Sequence, residues 1–379
     1  MVSCGEPSGD LYASELVRHL RPSLPALDLF GVGGDRLAGQ GASLFADVRE
    51  LAVVGLVEVV THLRRLRAVL NALLAEADRR PPAAALLVDY GGFNLRLAVA
   101  LRRRGIPVVY YVSPQVWAWR RRRIHTIRDT VSRMIVIFPF EEPLYRDAGV
   151  PVRFVGHPLV DIARPAGDPP AFLRAHGIDP ARPVLAVLPG SRPQEIAHNL
   201  PPLVEGLRRV AARRDDAQFV LAVAPSIDPA RIRAALGDLP VTLIGGATHA
   251  VLGACTAAIV ASGTATVEAA LLGAPMVVVY RLSALTYHLG RRFVNVPHYA
   301  MANLIAGERL VPELIQGGFT GESVASEALR LLEDPGARER MKDGLAEVRR
   351  RLGSPGASGR AAAEVLQVLA GGPAVAKNH

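Results

Sequence analysis

Short apolar runs alternate with amphipathic stretches along the whole chain, and this alternation predicts a parallel α/β architecture. In the first half, residues 27–32, 84–88, 108–112, 134–138 and 152–155 read as strands. The second half supplies runs at 184–188, 219–223, 241–244, 257–261 and 276–280. Helical patterning occupies residues 11–20, 60–77 and 95–104 between them. Only Met1, Val2 and Ser3 precede the first glycine-rich turn, so either a first strand is stunted there or the true start lies upstream. The stretch Arg164-Pro165-Ala166-Gly167-Asp168-Pro169-Pro170 breaks the composition and places a hinge within residues 158–183. The expected organisation is two facing Rossmann-like domains, 1–160 and 161–350, with a cleft between them. A closing C-terminal helix at 351–370 and a disordered tail at 371–379 follow. In such sheets ligands bind where strand C-termini meet the cleft.

Two strand-to-helix junctions of the second half carry candidate chemistry. Leu188-Pro189-Gly190-Ser191-Arg192 follows one apolar run, and Ser262-Gly263-Thr264-Ala265-Thr266-Val267-Glu268 follows another. A strand feeding a small-residue turn into a helix aims backbone N–H groups and the positive dipole end at one point, which suits a phosphate. Arg192 would neutralise phosphate oxygens, and Glu268 would accept from ribose hydroxyls. Together the two turns fit a nucleotide diphosphate. Taken singly, either motif reads equally well as ordinary turn and cap residues. Neither an Asp-x-Asp pair nor a His/Asp ligand spacing stands nearby, so helix dipoles and Arg192 are expected to stabilise a leaving diphosphate without a metal.

In the first half, Gly5-Glu6-Pro7-Ser8-Gly9-Asp10 is another such turn, although Ser8 or Asp10 also reads as a cap for the helix from residue 11. Val88-Asp89-Tyr90-Gly91-Gly92-Phe93-Asn94 ends an apolar strand with a carboxylate aimed at the cleft. A carboxylate half-buried in an apolar rim is a better base than one in water. Asp89 is therefore the candidate general base, with Asp10 the second candidate catalytic acid; the competing role of helix cap suits Asn94 better. Both tryptophans, Trp117 and Trp119, fall in the segment 110–120. They read either as core packing or as a wall beside a sugar or acyl substrate, with Arg120 to Arg123 near an anionic group.

Charge narrows the partners. The net charge of +9 is carried by arginine clusters at 64, 65 and 67, at 102–104 and at 120–123. That one-sided distribution points to an anionic partner, although any single cluster reads better as a solvated surface. Aromatics are only 5% of the chain, and neither helix-turn-helix nor zinc-finger spacing occurs, so lipid headgroup or sugar phosphate fits better than nucleic acid. The apolar run 51–60 beside His62, Arg64, Arg65 and Arg67 has the pattern of interfacial membrane contact, or of a buried helix with an exposed basic end. The glycine-rich opening leads us to expect no signal peptide, and no apolar stretch of the sequence approaches the ~20 residues that span a bilayer. Cys4 and Cys255, the two cysteines, supply no disulfide framework, so a cytoplasmic setting is expected.

These blocks, with Leu51 to Val59, Tyr111-Val112-Ser113-Pro114-Gln115-Val116-Trp117-Ala118-Trp119-Arg120, Phe154-Val155-Gly156-His157 and Asn303-Leu304-Ile305-Ala306-Gly307, resemble the lipid-A-disaccharide synthases. That family comprises inverting glycosyltransferases of the GT-B fold. The resemblance implies transfer of 2,3-diacylglucosamine from its UDP derivative to 2,3-diacylglucosamine 1-phosphate, giving a β-1,6-linked disaccharide phosphate and UDP. Asp89 matches the family's essential acid. Arg192, Ser262, Gly263, Thr264 and Glu268 match its UDP pocket, with Gly190 and Ser191 in the same turn and Asn303 close by. Ser8, Trp117 and Arg120, with Arg64, Arg65 and Arg67, are the expected acceptor and membrane contacts. The reading calls for no cofactor, no metal and no nucleic acid. It places the protein peripherally on the cytoplasmic face of the inner membrane and leaves a homodimer open. The chain departs from the family at Gly92, where many relatives carry a second aspartate, and at Ala302, where a proline commonly stands. Two other readings remain. A UDP-N-acetylglucosamine epimerase or another lipid-linked GT-B transferase would share the Ser-Gly-Thr pocket but not Trp117-Ala118-Trp119. A non-catalytic peripheral membrane protein would leave Asp89 without a task.

Overall fold

The computed structural model describes residues 1–48, 59–118, 122–165, 167–282 and 297–371. They form two compact units: residues 1–158 with the returning segment from Gly353 onward, and residues 159–352.

The first unit is built on seven parallel strands: β1 (Val2–Cys4), β2 (Phe30–Gly33), β3 (Ser43–Asp47), β4 (Ala85–Val88), β5 (Val108–Tyr111), β6 (Arg133–Val136) and β7 (Val152–Phe154). Their order is β3-β2-β1-β4-β5-β6-β7. Residues of β1, β2, β4 and β5 are buried on both faces, as expected of a sheet covered by crossover helices on each side. Leu73, Leu87, Leu97, Leu101 and Tyr110 are fully buried in its core. The C-terminal helix Ala357–Ala370 belongs here and packs on the helix Pro7–Leu20. Its Arg360 Nε donates to the Val155 carbonyl at 2.8 Å, and its Glu364 pairs with Arg133 at 3.4 Å.

The second unit holds six parallel strands: β8 (Val184–Leu188), β9 (Gln218–Val223), β10 (Val241–Gly245), β11 (Ala257–Ala261), β12 (Met276–Tyr280) and β13 (Glu313–Ile315), in the order β10-β9-β8-β11-β12-β13. Each sheet reverses its winding once, between β1 and β4 and between β8 and β11. Such reversals open a ligand crevice at the strand carboxyl ends. The four junctions singled out in the sequence are the turns that leave these four strands.

The expected two-domain parallel α/β fold is therefore present. Two strands escaped the sequence reading, β3 and β13, and both lie at sheet edges. Helices start earlier than expected, at Pro7 and Gly91. Residues 51–58 of the apolar run, Trp119, Arg120 and the tail beyond 371 lie outside the described residues. Among the described residues no helix is long and apolar enough to cross a membrane.

Candidate active site

At the first unit's winding reversal, β4 runs into two consecutive left-handed residues, Asp89 (φ 50°) and Tyr90 (φ 51°), before the helix Gly91–Arg102. Left-handed backbone is tolerated by aspartate and is a genuine outlier for a bulky residue. The turn is held from several directions. Asp89 N–H donates to the Tyr111 carbonyl at 3.0 Å, and the Asp89 carbonyl accepts from Tyr110 Oη at 2.6 Å and Asn94 Nδ2 at 2.9 Å. Asn94 also donates to the Ser3 and Val88 carbonyls and accepts from Ser3 Oγ at 2.7 Å. Asn94 is thus a buried strut between β1 and β4, not the helix cap it was expected to suit. Gly5 is required beside it, because a Cβ there would fall inside the Tyr90 ring.

The expected caps at Ser8 and Asp10 also resolve differently. The helix opens at Pro7, so both residues sit inside it, with Ser8 half-buried. Asp10 is buried, and its carboxylate accepts from the N–H groups of Gly34 (2.7 Å), Arg36 (3.1 Å) and Leu37 (3.3 Å). It therefore caps the next helix, Asp35–Gly39. Burial pushes the Cys4 thiol well up, and the charges of Asp10 and Asp89 on either side add to the effect.

Beyond β5, Val112 is left-handed as well (φ 61°). Ser113 Oγ lies 2.5 Å from Tyr145 Oη, and the Trp117 indole donates to Glu141 Oε1 at 3.3 Å. Trp117 meets Phe140 edge-on at 5.2 Å. Burial pushes the Glu141 carboxyl up to about 8, against hydrogen bonds from Phe138, Ser113 and Trp117 that favour its charged form. Nearby, burial pushes His157 down to about 3. Trp117 is half-buried and held by that hydrogen bond. Arg64, Arg65 and Arg67 are exposed on the helix Val59–Arg79, while Leu73 and Ala77 of that helix enter the core.

In the second unit, Gly190 (φ 124°) and Gly263 (φ 146°) adopt backbone that favours glycine. Glu195 bends back to accept from the N–H groups of Ser191 (2.8 Å) and Arg192 (3.2 Å), and pairs with Arg192 Nη1 at 3.2 Å. Two donors expected to face a phosphate are therefore occupied by a carboxylate, and Gly190 makes room for it: a Cβ there would stand 2.6 Å from Glu195 Oε2. The spacing Arg192-Pro193-Gln194-Glu195 is the sequence signal for this, a glutamate at the third helical position. At the other junction the helix Thr264–Leu271 has Gly263 at its N-cap, which offers no capping side chain, and Gly263 and Thr264 are exposed. Ser262 Oγ donates to the Tyr299 carbonyl at 3.2 Å, and Glu268 Oε1 lies 3.1 Å from His249 Nε2. Tyr280 stacks on Tyr299 at 6.5 Å. Burial pushes its hydroxyl up, the Glu195 charge adding and Arg192 opposing. These contacts tie the ends of β8, β11 and β12 into one locus containing Arg192, Glu195, Ser262, Tyr280 and Tyr299.

Asn303, expected beside the UDP pocket, is instead fully buried. It donates to the Val311 carbonyl and Glu313 Oε1 and accepts from Val311 N–H at 2.8 Å. Its amide is consumed in joining the helix Met301–Ala306 to β13. Glu195, His249, Tyr280 and Glu313 were missed from sequence; for all but Glu195, the partner that gives them meaning is remote along the chain.

Two parallel α/β units with this winding define the fold class of the GT-B glycosyltransferases and the related nucleotide-sugar epimerases. The structure aligns with CalG4, the calicheamicin glycosyltransferase, at a TM-score of 0.60 and 20% identity over 99% of this chain and 97% of that one. It aligns with the UDP-GlcNAc 2-epimerase of Neisseria meningitidis at 0.67 and 14%, covering 97% and 99%. At these identities the likeness concerns the fold alone. Sequence goes further: the chain belongs to the Lipid-A-disaccharide synthetase family, whose model matches residues 1–364. It is 47% identical to the lipid-A-disaccharide synthase of Myxococcus xanthus and 46% to that of Anaeromyxobacter dehalogenans, in each case over 97% of both chains.

Proposed function

We propose that this glycosyltransferase moves 2,3-diacylglucosamine from its UDP derivative to O6 of 2,3-diacylglucosamine 1-phosphate with inversion, releasing UDP. The observation that carries the reading is the strained Asp89–Tyr90 turn at the first unit's winding reversal. Held by its main chain, Asp89 offers its carboxylate to the acceptor hydroxyl and takes the proton as the new C–O bond forms. One inverting displacement needs one such base. Asp10, its oxygens engaged by the N–H groups of Gly34, Arg36 and Leu37, caps the helix Asp35–Gly39 rather than accepting a proton.

In the second unit, the donor's diphosphate would meet Arg192, Ser262 and the exposed N-terminus of the helix Thr264–Leu271, whose dipole favours the departing charge. Glu268, held by His249, would accept from ribose hydroxyls. Glu195 must swing off Ser191 and Arg192 for Gly190, Ser191 and Arg192 to receive a phosphate, since carboxylate and phosphate repel. Asn303 supports this region from within the fold. Trp117 would line the acceptor side. The exposed face with Arg64, Arg65 and Arg67 would meet anionic lipid, keeping the protein peripherally on the cytoplasmic face of the inner membrane where its acceptor sits.

The test is UDP release from UDP-diacylglucosamine with and without the monosaccharide phosphate. Release only with acceptor, together with a disaccharide product, supports the proposal. An epimerised sugar, or no turnover, would overturn it.

A further inference from the structure

A groove in the first unit runs between the helices Gly91–Arg102 and Arg123–Thr130. Gly91, Leu95 and Val99 recur every fourth residue and so share one helix face, with Arg96 beside them. Arg123 and Thr126 line the groove from the other helix. Leu95 is buried, Val99, Arg123 and Thr126 are half-buried, and Arg96 is exposed. Two guanidiniums over an aliphatic floor suit an anionic amphiphile: the cations take the anion, and the floor takes methylenes. At about 210 Å³ the groove falls below the ~300–1,000 Å³ of pockets that enclose a drug-sized ligand. It has room for a phosphate and a short length of acyl chain, not for a whole lipid.

Its upper end adjoins Asp89. Arg123 Nη1 lies 3.6 Å from where a Cβ on Gly91 would stand. Gly91 is two residues from Asp89, and two residues of chain span at most about 7 Å, the scale of one hexose ring. The charge of Arg123 is also felt at Tyr110, whose hydroxyl donates to the Asp89 carbonyl.

We propose that this groove is the acceptor subsite: Arg123 and Arg96 hold the sugar phosphate, Leu95 and Val99 take the first methylenes of an acyl chain, and the ring bridges to Asp89. The inference rests on Asp89 being the base.

The experiment compares two acceptors on the full chain at saturating donor: 2,3-diacylglucosamine 1-phosphate and the same sugar without phosphate. Variants are Arg96→Ala, Arg123→Gln and Arg123→Lys, each checked by its melting temperature. Loss of a charged hydrogen bond should raise KM for the phosphorylated acceptor about tenfold in Arg96→Ala and Arg123→Gln. KM for the dephosphorylated acceptor and for donor should hold, and Arg123→Lys should recover part of the loss. A KM that rises equally for both acceptors, or for neither, would overturn the proposal. If Arg123→Gln fails to fold, the exposed Arg96 and the lysine variant decide the question by the same criterion. A wild type inactive with both acceptors would instead overturn the reading of the reaction, and this inference with it.

Discussion

Left-handed backbone at a non-glycine residue costs on the order of 1–3 kcal/mol, and the fold sustains it at both Asp89 and Tyr90. Three hydrogen bonds to the Asp89 main chain and the bare Gly5 under the Tyr90 ring hold the turn in place. Asparagine tolerates this conformation and matches aspartate in size, so Asp89→Asn should fold normally. Turnover should fall roughly 10²–10⁴-fold, as for a lost general base, while UDP binding by calorimetry stays unchanged. Near-normal turnover would move the role to Glu6, because Asp10 is already engaged. The turn that carries Asp89 was legible because its motif is contiguous. Asp10 and Asn303 were not, because the groups that consume them, at Gly34 and Val311, lie elsewhere along the chain. A second residue-scale expectation concerns pH. The folded state holds Glu141 protonated up to about pH 8, whereas an unfolded glutamate ionises near its ordinary 4.5. Between these values the unfolded chain binds fewer protons, so this group's contribution is full below 4.5 and is lost as pH rises through about 8. Glutamine cannot ionise. Thermal stability of Glu141→Gln relative to wild type should therefore improve progressively across that window; a constant difference would show that Glu141 does not titrate there.

Elements were read well where burial is continuous and poorly where it is not. Strands β8 and β11, wholly buried, match their apolar runs residue for residue. Edge strand β3 mixes exposed and half-buried residues, and β13 is three residues long, so neither leaves an apolar run to find. The helix Val59–Arg79 shows how patterning separates packing from charge. Leu66, Leu70, Leu73 and Ala77 pack inward at helical spacing, which leaves Arg64, Arg65 and Arg67 exposed on the remaining surface. If that surface meets anionic lipid, each arginine should contribute about 1 kcal/mol. Replacing all three with alanine should weaken binding to anionic vesicles on the order of 100-fold at low salt. Wild-type binding should itself fall as salt rises. Sedimentation with anionic and neutral vesicles makes the comparison. A triple variant that binds like wild type would mark the cluster as a solvated helix face.

At the scale of the molecule, the chain leaves its first unit after Pro158 and returns to it at Gly353. The composition break near residue 165 announced the departure. A closing helix was expected at 351–370, but not the unit it rejoins, since a helix's sequence states its apolar face but not its partner. The helix Ala357–Ala370 buries Ala357, Ala361, Ala362 and Val365, small residues suited to close approach against the helix Pro7–Leu20. Arg360 and Glu364 add directional contacts to Val155 and Arg133. Ending the chain at Leu352 should therefore weaken the first unit alone. Loss of the Arg360 hydrogen bond removes about 1.5–3 kcal/mol. At roughly 2–4 °C per kcal/mol for a unit of this size, its melting should drop by about 5 °C or more. Hydrogen exchange should quicken in the helix Pro7–Leu20 and in β6, whose partners are gone, while β8, β11 and β12 keep their protection and UDP still raises the melting temperature of the second unit. Exchange that quickens evenly through both units would mean that the returning helix supports the whole chain rather than the unit on which it packs.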